Sequence, residues 1–142
     1  MQILVDADAC PVKEIIVRLA KCKEIPVTML IDTAHELNDG YSCVVTVDKG
    51  ADSVDFALIG LLKSKDIVVT GDYGLAAMAL GKGAQVIHPN GWVYCNENMD
   101  RLLMERHLNA KARRASNRIK GPAKRTKEDD DKFATTLSQM IG

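Results

Sequence analysis

The stretch QILVDADACPVK, residues 2–13, decides the fold: an apolar run of strand character ends abruptly in two aspartates one residue apart, Asp6 and Asp8, just before Pro11. Residues 2–5 read as a buried strand, and Pro11 suits the first turn of a following helix in which Val12, Ile15, Ile16, Leu19 and Ala20 recur at helical spacing. Strand, tight turn and helix are the opening of a βαβ unit.

The pattern repeats along the chain. PVTMLI (26–31), CVVTV (43–47), DIVVT (66–70) and AQVIHP (84–89) read as further strands. Between them lie a polar loop with the turn signal Asn38, Asp39, Gly40, the helix SVDFALIGLLKS, and the turn and helix GDYGLAAMALGKG. SVDFALIGLLKS is apolar nearly all round, as in a helix packed against a sheet. Strands alternating with helices predict an α/β fold, a three-layer α/β/α sandwich on a central, mainly parallel five-stranded sheet. A loop around Asn90, Gly91 and Trp92 follows, then a helix from about Asn98 to Arg114, a basic stretch broken by Gly121 and Pro122, and a last helix near 128–140. At 142 residues this is one domain, a core of 1–98 with a basic helical extension over 99–142.

Composition narrows the function classes. No run approaches the ~20 apolar residues that span a bilayer, which excludes a membrane-spanning helix. Met1 leads into a strand with no basic and apolar leader pattern, so the expected location is cytoplasmic. Cys10, Cys22, Cys43 and Cys95 form no C-x-x-C pair and are expected to be buried, reduced thiols. A nucleophilic role for Cys10, near a helix start, is disfavoured by the neighbouring acids. The formal net charge is zero but unevenly spread: residues 1–100 carry −6 and residues 101–127 carry +9.

Ligands of open parallel sheets sit beyond the carboxyl ends of the strands, where this sequence concentrates its acids. The first strand ends in Asp6 and Asp8; the third runs into Asp48, then Asp52 and Asp55 in KGADSVD; the fourth ends in Thr70, Gly71 and Asp72. Strand five ends instead in His88 and Pro89. Converging carboxylates raise one another's pKa unless a cation offsets them, and oxygen-only donors suit Mg²⁺ or Mn²⁺. Such a site activates water and stabilises displacement at phosphorus, which makes a phosphodiester the natural substrate. Each acid also has a local reading: Asp8 or Asp52 as a helix N-cap, Asp55 as a first-turn acid favoured by the helix dipole, Asp72 as a turn former with Gly71 and Gly74. Asp6 is the hardest to explain locally, because it ends an apolar strand where burial costs energy without a partner.

ILVDADACPVK, KGADSVDFALIG, VVTGDYGLAAMAL followed by GAQVI, and the tail RIKGPAKRTKEDDDKF closely resemble the YaiI/YqxD family of bacterial proteins across essentially the full chain. More distantly, the first three segments resemble the PIN-like nuclease superfamily. That resemblance implies Mg²⁺- or Mn²⁺-dependent hydrolysis of nucleic acid, RNA before DNA. By position Asp6 matches the superfamily's first acid and Asp72 its strand-four acid. KGADSVD resembles the K-G-x-D of NYN nucleases, favouring Asp52 as the helix acid, whereas DFALI resembles many PIN domains, favouring Asp55. The usual fourth acid is absent, since Tyr73, Gly74, Leu75 and Ala76 follow Asp72, and Asp8 is the available substitute.

The expectation is therefore a metal-dependent nuclease with Asp6, Asp72 and Asp52 or Asp55 as metal ligands and Asp8 assisting, all five counted among the catalytic acids. Water is the expected nucleophile, with Thr70 or Ser53 to orient it or a metal ligand. Residues 106–127 suit phosphate contacts, through Arg106, Lys111, Arg113, Arg114, Arg118, Lys120, Lys124 and Arg125. That segment nearly lacks aromatics, which argues against base stacking there. The run from Thr126 through Glu128 reads as an N-capped helix with acids on its positive end. Two alternatives fit parts of the pattern: a haloacid-dehalogenase-type phosphatase using the D-x-D of strand one, and a non-catalytic nucleic-acid-binding protein, with oligomer formation open in each case.

Overall fold

A computed structural model describes residues 1–8, 10–32, 37–48, 53–116 and 124–142; for Arg106 and residues 112–116 only the backbone is described. In chain order the elements are β1 (Ile3–Asp6), α1 (Lys13–Cys22), β2 (Val27–Asp32), β3 (Cys43–Val47), α2 (Ser53–Leu61), β4 (Ile67–Val69), α3 (Tyr73–Gly81), β5 (Gln85–Ile87), β6 (Val93–Tyr94), α4 (Asn96–Ser116) and α5 (Lys127–Met140). The strands form one sheet in the order β3-β2-β1-β4-β5-β6. β1 pairs in parallel with both β2 and β4, β2 with β3, and β4 with β5; only β5 and β6 run antiparallel.

The five expected strands are all present, and a sixth is added by a tight hairpin. His88 to Gly91 closes as a turn with Pro89 second and Gly91 fourth, the Gly91 amide donating to the His88 carbonyl at 2.8 Å. The His88 amide donates to the Trp92 carbonyl at 2.9 Å and closes the hairpin. Two residues of strand are too few for an alternation to register in sequence.

Strand alternation divides the core between two faces. Ile3 and Val5 of β1 pack with Val12, Ile16 and Ala20 on the face covered by α1 and α5, while Leu4 packs with Leu58, Leu75, Ala79 and Leu102 on the face covered by α2, α3 and α4. The result is a three-layer sandwich. α5 belongs to the core rather than to an appendage: Phe133 and Leu137 are fully buried beside α1, and side chains of that size each contribute roughly 1.5–3 kcal/mol on burial. Its start follows the sequence expectation. Thr126 caps the helix by accepting from the Asp129 amide, and the Asp129 carboxylate accepts from the Thr126 amide, a reciprocal capping box.

α2 packs against the sheet as expected, through the buried Leu58, and leaves Phe56 on its outer face 73% exposed. Two expectations are corrected. Of the cysteines only Cys10 is buried; Cys22 sits at the outer end of α1, Cys43 starts the edge strand β3, and both are exposed. Asp8 does not cap α1, whose N-cap is Val12 with no side-chain cap. The Asp8 carboxylate instead accepts from the Asp32 amide at 3.1 Å and ties the loop after β1 to the end of β2.

Candidate carboxylate site

Strand order places the site. The chain steps from β1 out to β2 and β3, then returns through α2 to the other side of β1, where β4 and β5 follow. The order reverses between β1 and β4, and the region beyond their carboxyl ends is where sheets of this kind form a ligand crevice. β1 delivers Asp6 and Asp8 to it and β4 leads into Thr70 and Asp72. α2, which crosses the sheet over β2 and β1, brings Asp55 in its first turn. β3 is two strands from β1, about 10 Å away at ordinary strand spacing, so Asp48 is off the crevice.

Thr70, almost fully buried, organises the centre. Its hydroxyl donates to Asp6 Oδ2 at 3.0 Å and accepts from the Asp72 amide at 3.0 Å, linking the ends of β1 and β4. Asp72 caps α3: its Oδ1 accepts from the amides of Gly74 at 2.8 Å and Leu75 at 3.2 Å. The turn reading of Asp72 thus holds, but it occupies one oxygen only. Asp6 Oδ1 and Asp72 Oδ2 take no hydrogen bond from the described residues.

The electrostatics follow from this crowding. Burial pushes the Asp6 carboxyl up to about 6; the Thr70 hydrogen bond opposes the shift, and Asp55, Asp72 and Asp8 add to it. Three further carboxylates, from α2 and from the ends of β1 and β4, therefore act on Asp6. Asp52 lies outside the described residues, and the first turn of α3 has no acid, in keeping with the missing fourth acid of the sequence. Burial likewise raises the Cys10 thiol, which leaves it a core side chain rather than a nucleophile.

By donor chemistry the group suits a hard divalent cation: the oxygens are carboxylate, and Asp6 is held in a state that a nearby cation would relieve. Among the described residues no three His, Cys, Asp or Glu stand close enough to hold an ion by themselves. Mg²⁺ does not require that, since it keeps several waters and is commonly held by one or two carboxylates together with substrate phosphates.

The basic residues separate. Lys111 and Lys124 are exposed. Arg106, Arg113 and Arg114 lie on α4, with their side chains outside the described residues, and Arg118 and Lys120 lie outside them altogether. Arg125, expected on phosphate, is turned inward. Its Nε pairs with Asp130 Oδ1 at 2.7 Å, one terminal nitrogen donates to Asn90 Oδ1 at 2.8 Å, and the other to the Pro89 carbonyl at 2.7 Å. It fastens the β5–β6 turn to α5.

One feature of the rim was not singled out as functional in the sequence. Tyr73, His88, Trp92 and Tyr94 form a ring cluster beside Asp72, with His88 stacked on Trp92 at 4.5 Å and 13°. The Tyr94 hydroxyl donates to the Thr70 carbonyl at 3.3 Å. The available signal was that strand five, like its neighbours, ends at the crevice, and His88 is the residue it delivers there.

Fold and site together define an α/β protein with a carboxylate cluster at the switch point of a mainly parallel sheet. The chain belongs to the family described as "Uncharacterized BCR, YaiI/YqxD family", whose model matches residues 4–142. It is 61% identical to a UPF0178 protein of Ruminiclostridium cellulolyticum over 99% of this chain and 92% of the relative. A UPF0178 protein of Clostridium acetobutylicum is 57% identical over 99% and 97%, and one of Alkaliphilus oremlandii 52% over 99% and 91%. No solved structure matches the chain. Among the described residues no helix is long and apolar enough to cross a membrane.

Proposed function

We propose that this protein is a metal-dependent nuclease that hydrolyses phosphodiester bonds of nucleic acid, RNA before DNA, at the cluster of Asp6, Asp55 and Asp72, with Asp8 bracing the loop that carries it and Asp52 a further ligand. The observation that carries the reading is the convergence of acids from the ends of β1 and β4 and from α2 on the sheet's switch point, where they add to the upward shift that burial imposes on Asp6. A purely structural role gives no reason to gather like charges on a half-buried carboxyl.

Bound there, Mg²⁺ or Mn²⁺ would lower the pKa of a water and offset charge at phosphorus. Asp6 Oδ1 and Asp72 Oδ2 are the oxygens available to it. Thr70 fixes the Asp6 rotamer through one hydrogen bond and the Asp72 backbone through another, so the two carboxylates are held in register without either giving up its second oxygen. The exposed Lys111 and Lys124 supply positive charge for the backbone of a strand. The chain's four free thiols accord with a reducing, cytoplasmic setting.

The test is cleavage of a labelled single-stranded RNA by purified protein in Mn²⁺, with EDTA and Asp72→Asn as controls. The proposal expects cleavage that both controls abolish. Failure to cleave RNA or single-stranded DNA, together with phosphate release from a monoester, would instead favour the phosphatase reading.

A further inference from the structure

His88 is a half-buried imidazole held by three separate restraints. Its Nδ1 accepts a hydrogen bond from the Asn90 amide at 2.9 Å, its ring stacks on Trp92 at 4.5 Å, and the turn that carries it is fastened to α5 by Arg125 through Pro89 and Asn90. Together they leave the ring little freedom. A side chain serving only to pack would need neither a fixed tautomer nor a fixed plane.

The first restraint decides the chemistry of the other nitrogen. An Nδ1 that accepts from an amide has its lone pair in the ring plane engaged, so the neutral ring carries its proton on Nε2. Nε2 is then a donor and not a metal ligand. It takes no partner among the described residues, and it lies beside Gly71: a Cβ added to that glycine would stand 3.7 Å from it. Gly71 is the residue between Thr70 and Asp72, so the donor lies against the backbone that joins them, where no side chain of Gly71 intervenes. Burial and the Arg125 charge hold the ring well below its usual pKa, at about 4, so it is present as the neutral donor at neutral pH.

We propose that the Nε2–H of His88 is a preorganised donor to a phosphoryl oxygen of nucleic acid bound at the Asp6–Asp72 cluster. The proposal rests on the nuclease reading above and adds a positioning residue to it. The carboxylates repel a phosphate that no cation bridges, and a neutral N–H beside the Thr70–Asp72 segment contributes attraction and orientation without competing for the cation.

Two substitutions divide the two nitrogens of the ring. In His88→Asn the side-chain oxygen falls near the position of Nδ1 and can still accept from the amide two residues on, while the donor is lost. In His88→Gln the amide nitrogen reaches toward the position of Nε2, while the acceptor is lost. Cleavage of a labelled single-stranded RNA in Mn²⁺ should fall about tenfold to a hundredfold in kcat/KM for His88→Asn, the size expected for a hydrogen bond to a charged group, and at most about threefold for His88→Gln. Wild-type rates in His88→Asn, or equal losses in the two variants, would overturn the proposal. If the wild type cleaves no RNA, the nuclease reading fails by itself, and the donor is judged by binding. Trp92, the chain's one tryptophan, stacks on His88 and reports it. A fluorescence change on adding the same RNA, lost in His88→Asn and kept in His88→Gln, upholds the donor; no change in the wild type removes it.

Discussion

Thr70 donates its hydroxyl to Asp6 across 3.0 Å, joining the ends of the two strands between which the sheet reverses its order. The same oxygen accepts from the Asp72 amide, so Thr70→Val removes two hydrogen bonds from a buried position. A loss of about 1–3 kcal/mol in unfolding free energy is expected, measured by urea denaturation. The Thr70 bond opposes the upward shift of Asp6, so the Asp6 carboxyl should titrate above about 6 in the variant, as read by carboxyl-carbon NMR.

Two groups at the site link stability to pH in opposite senses. Asp6 is raised from 3.8 to about 6, chiefly by burial, so between these values the native state binds more protons than the unfolded state and stability falls as pH rises. His88 is lowered from 6.5 to about 4, again chiefly by burial, so the unfolded state takes the proton first and stability falls as pH drops through that window. Both groups are only half-buried, and solvent screening reduces each contribution to about 1 kcal/mol. In EDTA, relative to the wild-type curve, Asp6→Asn should lose stability between pH 6.5 and 4 and His88→Asn should gain it. Parallel curves for all three proteins would contradict both assignments.

Arg125 distinguishes an internal fastening from a phosphate contact. Its three contacts run to Asp130, Asn90 and Pro89, so Arg125→Ala should lower stability by about 1.5–3 kcal/mol. It should leave the salt dependence of RNA binding nearly unchanged, whereas Lys124→Ala should do the reverse.

Gly91 carries the other half of the same junction. Its φ is +94°, and an added Cβ would meet the Lys132 carbonyl carbon and the Phe133 nitrogen, both at 2.7 Å and both backbone. Its carbonyl also accepts from the Thr136 hydroxyl at 2.7 Å. Gly91→Ala should cost more than about 2 kcal/mol, since neither the strained φ nor the contact with α5 backbone can relax, and thermal melting would detect it.

How much of this was legible in the sequence depended on whether a local pattern carried it. The five longer strands and the α/β alternation were written in apolar runs separated by turn signals, and the capping box of α5 in Thr126 and Asp129. The position of Asp6 and Asp72 at neighbouring strand ends was legible because each follows an apolar run. The inward turn of Arg125 was not, because its partners Asn90 and Pro89 are 35 and 36 residues away and nothing local distinguishes it from Lys124. Asp8 likewise looked like a cap for α1 until its partner proved to be the Asp32 amide, on a neighbouring strand. His88 was visible at the end of strand five, but its role depends on Trp92 and Gly71, which only the hairpin and the parallel pairing of β4 with β5 bring beside it.

The central claim is that Asp6 and Asp72 hold a divalent cation, and a Mn²⁺ titration followed by electron paramagnetic resonance tests it most directly. Asp72→Asn keeps a good N-cap for α3, and Asp6→Asn keeps an acceptor for Thr70, so both variants should fold. The wild type is expected to bind Mn²⁺ at this site, and each variant to bind it at least about tenfold more weakly, as follows from losing one charged ligand. Equal Mn²⁺ binding by the three proteins, or none by the wild type, would contradict the account.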